Sequence, residues 1–158
     1  MAKVLIIYFS KTGNTKKMAE IVGEGAKNEG VEVVLKSVDQ ATPEDMLNAD
    51  GIIIGSPTYF GTMSAEVKEL LDKSVKYFGK LNGKVGAAFS TSGILGGGNE
   101  TTVLDILKAF LVHGMIIQGE TAGGHYGPVT IGAPDEKCKQ ECQTMGKRVA
   151  KLVKKLFS

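Results

Sequence analysis

Hydrophobic and polar positions follow two patterns that take turns along the chain. Short apolar runs predict buried strands, and stretches with apolar residues three or four positions apart predict amphipathic helices. The predicted strands cover residues 4–9, 31–38, 51–55, 84–90 and 115–118. The predicted helices cover residues 14–28, a short stretch from Pro43, then 64–78, 100–113 and 136–157. The whole chain therefore reads as an alternation of strands and helices.

Five strands that alternate with helices favour an α/β fold with a doubly wound parallel sheet. Helices then cover both faces of the sheet, and the crossovers are right-handed. A length of 158 residues is typical of one domain, and the chain has no interior linker, so residues 1–158 are predicted to form a single domain. Ligands of such sheets bind at the carboxyl ends of the strands, where the strand order reverses. We therefore look for chemistry in the loops that follow the strands.

Composition excludes several classes of protein. With 42% hydrophobic and 23% charged residues, the chain is neither disordered nor fibrous. Its longest apolar run, residues 4–9, is far shorter than the roughly 18 residues of a membrane span. A net charge of +2 argues against a dedicated nucleic-acid binder, and the basic last helix is interpreted as a solvated face. Cys138 and Cys142 are too few for a disulfide scaffold, so we expect a cytoplasmic protein with two buried thiols.

The loop after the first strand has the composition of an anion site. It reads Ser10, Lys11, Thr12, Gly13, Asn14, Thr15 and leads directly into a helix, whose first N–H groups and dipole favour negative charge. The spacing matches neither the ATP-type P-loop nor the dinucleotide fingerprint. A single phosphate is the ligand it suits, and a plain hydroxyl-rich turn is the alternative.

Two further strand ends carry unusual loops. After the third strand, Tyr59 and Phe60 precede Gly61, which suggests a surface for a flat ring, although the aromatics could also anchor the loop to the core. After the fourth strand, residues 90–99 hold four glycines and three hydroxyls, and are either mobile or wrapped around a polar ligand. The acidic cluster of a two-component receiver domain is absent from these positions. With glycine at 21 of 158 residues, close to double the usual share of about 7%, these loops account for part of the excess.

Three strand-end loops of this kind, in this order, resemble those of the flavodoxin-like FMN proteins, whose strand order is 2-1-3-4-5. Within that group the chain is most similar to the WrbA family of NAD(P)H:quinone oxidoreductases. The resemblance covers essentially the whole chain and rests on four motifs. They are residues 56–63 (SPTYFGTM), 96–101 (GGGNET), 113–115 (HGM) and 126–127 (YG).

The resemblance implies FMN as cofactor, no metal and no catalytic side chain, because the flavin does the chemistry. It places the FMN phosphate on the first loop, the flavin ring on the second, and the pyrimidine side and ribityl chain on the third. His113 matches a histidine near the flavin and the substrate, with a structural helix cap as the alternative. The implied cofactor-binding residues are Ser10, Lys11, Thr12, Gly13, Asn14, Thr15, Pro57, Thr58, Tyr59, Phe60, Gly61, Ser90, Thr91, Ser92, Gly93, Gly96 and His113.

The resemblance implies an enzyme that passes electrons from NAD(P)H through FMN to a quinone, and a homo-oligomer, either dimer or tetramer. The alternative is a flavodoxin-type carrier that docks on a redox protein, although such carriers are usually strongly acidic. A scaffold that has lost the flavin is disfavoured by the intact first loop. The chain departs from the family in being shorter between its second and third strands, in lacking tryptophan, and in having Tyr59 where an arginine is expected. The glycine-rich stretch 119–132 is expected to border the substrate pocket or a subunit contact.

Overall fold

The computed structural model describes residues 1–158 and contains one sheet of seven strands. The strands are β1 (Lys3–Tyr8), β2 (Glu32–Ser37), β3 (Gly51–Tyr59), β4 (Thr62–Met63), β5 (Val85–Ser92), β6 (Ile116–Ile117) and β7 (Val129–Ile131). The helices are α1 (Asn14–Lys27), α2 (Pro43–Leu47), α3 (Ala65–Lys73), α4 (Asn99–Val112) and α5 (Glu136–Phe157), with a 3₁₀ turn at Ser74–Tyr77 after α3.

The sheet order is β2-β1-β3-β5-β6, and all of these pairs are parallel. Because β4 only forms a short antiparallel hairpin with β3, this is the predicted order 2-1-3-4-5. The α/β doubly wound sheet is therefore confirmed. The fifth position differs from the prediction because two strands share it: β6 pairs with the start of β5 and β7 with its end. Residues 118–128 interrupt the edge strand between them.

Each face of the sheet has its own hydrophobic core. Alternate residues of β1 point to opposite faces, so Val4 and Ile6 pack with α1 and α5, whereas Leu5 and Ile7 pack with the layer that contains α3 and α4. Cys138 and Cys142 lie in the first core, as predicted. The α2 helix begins at Pro43 behind Thr42, which forms a capping box with Asp45. None of the helices has the length and apolar composition needed to cross a membrane.

The end of α3 departs from the helical spacing of the sequence. A helix over residues 64–78 with Val75 and Phe78 on its inner face was expected, but α3 ends at Lys73 and a 3₁₀ turn follows. Three residues per turn rotate these side chains away from the core face. Val75 is 70% exposed and Phe78 is 64% exposed, so this part of the prediction is wrong.

Candidate functional site

The carboxyl ends of β1, β3 and β5 meet at one edge of the sheet and form a cleft of about 260 Å³. The cleft lies where the chain order reverses, since β1 is followed by β2 on one side and β3 lies on the other. The three predicted loops come together here. The lining residues are Lys11, Thr12, Asn14, Thr15, Pro57, Thr58, Tyr59, Thr91, Ser92, Gly93 and Gly132. Ten of these eleven were predicted from the sequence, and Gly132 was not among the named site residues.

The loop before α1 is arranged to receive an anion. Gly13 adopts a left-handed φ of 96°, and its N–H donates to Ser10 Oγ at 3.1 Å, so Ser10 and Gly13 shape the turn without lining the cleft. The helix then begins with no side-chain cap and no acidic residue in its first turn. The N–H groups of Asn14 and Thr15 have no acceptor within the chain. Unpaired N–H groups and the positive end of the helix dipole favour a negatively charged ligand.

A set of hydroxyl contacts fixes the strand ends beside this loop. Thr15 Oγ1 lies 3.0 Å from Thr91 Oγ1 and ties α1 to β5. Ser90 is fully buried, donates to the Ser56 carbonyl oxygen at 2.8 Å and lies 3.0 Å from Thr58 Oγ1. Ser90 therefore holds β3 to β5 and does not line the cleft, whereas Thr58 and Thr91 do.

The second loop is a two-residue hairpin turn between β3 and β4. Tyr59 pairs with Thr62, so Phe60 and Gly61 form the turn, with φ of 49° and 80°. Two successive positive φ values are typical of a type I′ turn, which prefers Asn-Gly. Phe60 is the only non-glycine residue of the chain with a positive φ, and its side chain is fully exposed. An aromatic residue held in this conformation and exposed to solvent is typical of a functional position.

The third loop and the start of α4 contact the second loop through a hydrogen bond and a close approach of the two backbones. Thr101 Oγ1 donates to the Gly61 carbonyl oxygen at 2.9 Å, and Gly98, with a φ of 104°, leaves no room for a Cβ against the Gly61 backbone. Gly96 also has a positive φ but does not line the cleft.

One aromatic side chain lines the cleft, and exposed apolar side chains lie on the same loops. Tyr59 lines it and meets the Phe9 ring edge-on, with the centroids 6.4 Å apart. Phe60 on the second loop and Ile94 and Leu95 on the third are strongly exposed. Ile94 and Leu95 lie within the predicted range 90–96 but are not among the named site residues, and the signal that could have identified them is the pair of large apolar residues inside an otherwise polar glycine-rich loop.

His113 lies at the opposite end of the sheet. It follows the 14 residues of α4, which carry the chain back by about 20 Å at 1.5 Å per residue, to the point where β6 pairs with the start of β5. Within the single chain, the prediction that His113 lines the cleft is therefore wrong. The side chain is buried and its Nε2 lies 2.7 Å from Ser74 Oγ. Burial lowers the pKa of His113 below its ordinary value.

The glycine-rich segment mostly turns away from the cleft. Of residues 119–132, only Gly132 lines it. Arg148 of α5 holds the segment through an ion pair with Glu120, with Nη1 and Oε2 2.9 Å apart. Gly127 packs so closely on β5 that a Cβ would overlap the Ala88 carbonyl oxygen. The segment is thus fixed against the sheet edge and α5.

Comparison with protein families gives one model match. The family described as "NADPH-dependent FMN reductase" matches residues 40–127, which is more than half of the chain. The matched part contains the second and third loops of the cleft but begins after the first.

Individual relatives extend the similarity to the full length. The chain is 46% identical to a flavodoxin of Aquifex aeolicus, over 97% of this chain and 88% of the relative. It is 36% identical to an NAD(P)H dehydrogenase (quinone) of Archaeoglobus fulgidus, over 99% of this chain and 100% of the relative. That alignment has 190 positions against 158 residues here, so the archaeal protein contains residues that this chain lacks.

Among solved structures, the chain is similar to a WrbA-like flavodoxin from Agrobacterium tumefaciens. The two superpose with a TM-score of 0.84 and 27% identity, and the match covers 99% of both chains. The sheet, its helices and the strand-end loops are therefore shared along the whole chain.

Proposed function

The chain belongs to the flavodoxin-like FMN proteins of the WrbA type, and we propose that it is an oxidoreductase that passes electrons from NAD(P)H through bound FMN to a quinone. The observation that carries this proposal is the cleft at the carboxyl ends of β1, β3 and β5. It combines unpaired helix N–H groups, for a phosphate, with the aromatic side chain of Tyr59, for a ring.

The residues of the cleft fit FMN. The N–H groups of Asn14 and Thr15, the Thr12 hydroxyl and the Lys11 ammonium would hold the phosphate, because they face one cleft and have no competing anion. Tyr59 would lie along the ring. Thr91 and Ser92 would hold the polar side of the cofactor from β5. The other predicted residues of the three loops do not line the cleft but lie within these loops or hold them in place; they are Ser10, Gly13, Phe60, Gly61, Ser90 and Gly96.

When bound, FMN supplies the redox chemistry, accepting a hydride and passing on two electrons. The protein contributes binding and orientation. The hydrogen bond from Thr101 to the Gly61 carbonyl oxygen fixes the Phe60–Gly61 turn, so the backbone of the second loop is held in one place beside the ring site. No side chain of the cleft is required as an acid or a base.

A quinone is the acceptor that the rim of the cleft favours. Phe60, Ile94 and Leu95 lie on the loops that carry the cleft residues Tyr59 and Gly93, and they expose large apolar side chains, which we call the apolar rim. A flat, apolar ring gains from contact with such side chains, whereas a polar acceptor does not.

A second candidate function is that of an electron carrier without its own substrate. It is favoured by the relatives named flavodoxin, among them the protein of Aquifex aeolicus at 46% identity. Under this alternative the same apolar rim would contact a redox protein. The net charge of +2 differs from the strongly acidic charge that is usual for such carriers and that guides their docking on basic partners.

We also propose that the protein forms a homo-oligomer of single FMN-binding domains in the cytoplasm. Val75, Phe78, Leu111 and Val112 are all at least 60% exposed, and they lie on neighbouring ends of the 3₁₀ turn and α4 around buried His113. Exposed apolar side chains of this kind are typical of a protein contact. The cytoplasmic location rests on the cysteine content alone.

The test is an anaerobic titration of the FMN-loaded protein with NADH and, separately, with NADPH. The proposal predicts rapid loss of the visible flavin absorbance at one nucleotide per flavin, and its return when a quinone is added. Free FMN at the same concentration is the control for reaction outside the protein. Flavin that neither nucleotide reduces, but that a separate reductase protein does, would establish the carrier instead.

A further inference from the structure

A second pocket lies beside the cofactor cleft, next to the end of β2. It has a volume of about 440 Å³, an apolar floor of Phe9, Val38 and Leu70, and an acidic rim that includes Asp39 and Glu66. We call it the β2 pocket. Because Phe9 meets Tyr59 edge-on, the wall of the β2 pocket is in direct contact with the wall of the cofactor cleft.

A basic groove connects the two sites. It has a volume of about 350 Å³ and is lined by Lys11 and Lys16, together with Phe9, Ser37 and Asp39. Lys11 also lines the cofactor cleft, and Phe9 and Asp39 also line the β2 pocket. A continuous surface therefore runs from an aromatic site, past two lysines, to an apolar pocket with carboxylates on its rim.

The carboxylates on the rim differ in what they contact. Glu69 is paired with Lys73 on the same helix at 2.9 Å, whereas Asp39 and Glu66 have no ion-pair partner. Asp39 follows β2 directly, and both side chains are exposed. In sheets with the dinucleotide fingerprint, an acidic residue in this region accepts a hydrogen bond from the 2′-hydroxyl of an adenosine ribose. This chain lacks the fingerprint, but the Asp39 carboxylate beside the apolar pocket offers the same kind of acceptor.

We propose that the β2 pocket binds the adenosine half of the reduced nicotinamide nucleotide and makes the protein selective for NADH. The adenine lies on Phe9, Val38 and Leu70, the ribose 2′-hydroxyl donates to Asp39, and the pyrophosphate lies over Lys16, because Lys11 holds the FMN phosphate. This inference rests on the proposed function, because it assumes that a nicotinamide nucleotide reduces the flavin.

Charge decides between the two nucleotides. The additional phosphate of NADPH sits on the 2′-oxygen, where it would meet Asp39 and Glu66. The cations nearby have other partners, since Glu69 pairs with Lys73, the pyrophosphate lies over Lys16 and the FMN phosphate is held by Lys11. The same position in NADH is a hydroxyl that donates to a carboxylate, which is one of the stronger hydrogen bonds. We expect a preference for NADH of at least about tenfold in kcat/KM.

The test compares both nucleotides on the FMN-loaded wild-type protein and on Asp39→Asn. The variant should lose NADH activity and gain NADPH activity, so that the ratio of the two kcat/KM values falls by about tenfold or more. Asp72→Asn is the matched control, because Asp72 is an exposed carboxylate on α3 that pairs with Lys68 and does not line the pocket. Its ratio should equal that of the wild type.

A binding measurement separates this inference from the proposed function. Calorimetric titration of the FMN-loaded protein with ADP-ribose and with 2′-phospho-ADP-ribose should show tighter binding of the first, and Asp39→Asn should remove the difference. Reduction of the flavin with NADPH preferred, or an Asp39→Asn ratio equal to that of the wild type, would overturn the inference and leave the proposed function intact. Selective binding of ADP-ribose without flavin reduction by either nucleotide would overturn the proposed function and support the pocket.

Discussion

The two ends of the sheet differ in how completely their polar groups are hydrogen-bonded within the chain. At the carboxyl end, the first N–H groups of α1 lack acceptors and Phe60 is held at a positive φ. At the amino end, the Lys3 N–H donates to Asp50 at 2.9 Å and the Lys84 ammonium donates to the Ala49 carbonyl oxygen. Backbone groups that nothing in the chain satisfies are available to a ligand, whereas satisfied groups hold the fold together. We therefore assign binding to the first end and stability to the second.

The largest effect on stability is expected from adding a side-chain atom where α1 packs against α5, away from the cleft. Gly25, near the end of α1, faces α5, and a Cβ there would overlap the Gln143 carbonyl oxygen. Gly25→Ala should lower the free energy of unfolding by about 3 kcal/mol, because a backbone atom must move. Denaturant unfolding measures the change.

Gly23→Ala is the control on the same helix. A Cβ at Gly23 would meet Ile6 Cδ1 at 3.5 Å, which is ordinary contact, so alanine should raise stability by up to about 1 kcal/mol through its helix propensity. Equal effects at both positions would contradict the close contact of α1 with α5.

A smaller effect, mainly on FMN binding, is expected at the carboxyl end of the sheet, although loss of the Thr15 hydroxyl also removes its contact with Thr91. Thr12→Ala combined with Thr15→Ala removes two hydroxyls from the cleft and should weaken FMN binding by about 2 kcal/mol, or roughly thirtyfold in Kd. Fluorescence titration of the apoprotein with FMN measures this. Thr121→Ala removes an exposed hydroxyl outside the cleft and should leave the Kd unchanged. An unchanged Kd in the double variant would remove the first loop from the site.

At the hairpin turn of the second loop, one substitution is expected to have opposite effects on stability and on substrate binding. Asparagine tolerates positive φ better than phenylalanine, so Phe60→Asn should raise the free energy of unfolding by about 1 kcal/mol. The same change removes an apolar side chain from the rim and should raise the KM for quinone. A variant that is less stable than the wild type would show that Phe60 is not strained.

The smallest effect is a pH dependence at the amino end. Burial lowers the pKa of His113, and its Nδ1 has no partner, so the native state resists protonation. The unfolded chain takes up the proton below a pH of about 6.5, and stability therefore falls as the pH drops through that value. His113→Gln should flatten the dependence between pH 7.5 and 5.5, measured by urea unfolding. An equal slope in the variant would assign the effect to other groups.

The sequence predicted the part of the fold that periodicity encodes. The apolar run of β1 and the spacing of α1 gave the correct elements, because burial dictates both patterns. The break of the edge strand at residues 118–128 was not predicted, since it depends on which part of β5 each short strand meets. Val75 and Phe78 were misplaced because the switch from α-helix to 3₁₀ turn leaves no mark in the hydrophobic spacing.

The site was predicted in its loops but less well in its individual residues. Loops that follow strands in a parallel sheet must meet at one edge, so their positions follow from chain order. Which hydroxyl faces the cleft depends on local packing at the strand end, since the neighbouring residues Thr91 and Ser92 both line the cleft. Ser90 and Thr91 are adjacent, yet only Thr91 lines the cleft. His113 shows the limit of matching a motif within one chain, because the direction of α4 takes it to the other end.

The most direct test of the account is an amide NMR spectrum of the ¹⁵N-labelled protein, recorded without and with FMN. We predict that the largest shift changes fall on the N–H groups of Thr12, Asn14 and Thr15, and on residues 58–61 and 91–93, with none at 113–115 in a monomeric sample. Changes centred on residues 113–115 in that sample, or none at the first loop, would contradict the assignment of binding to the carboxyl end of the sheet.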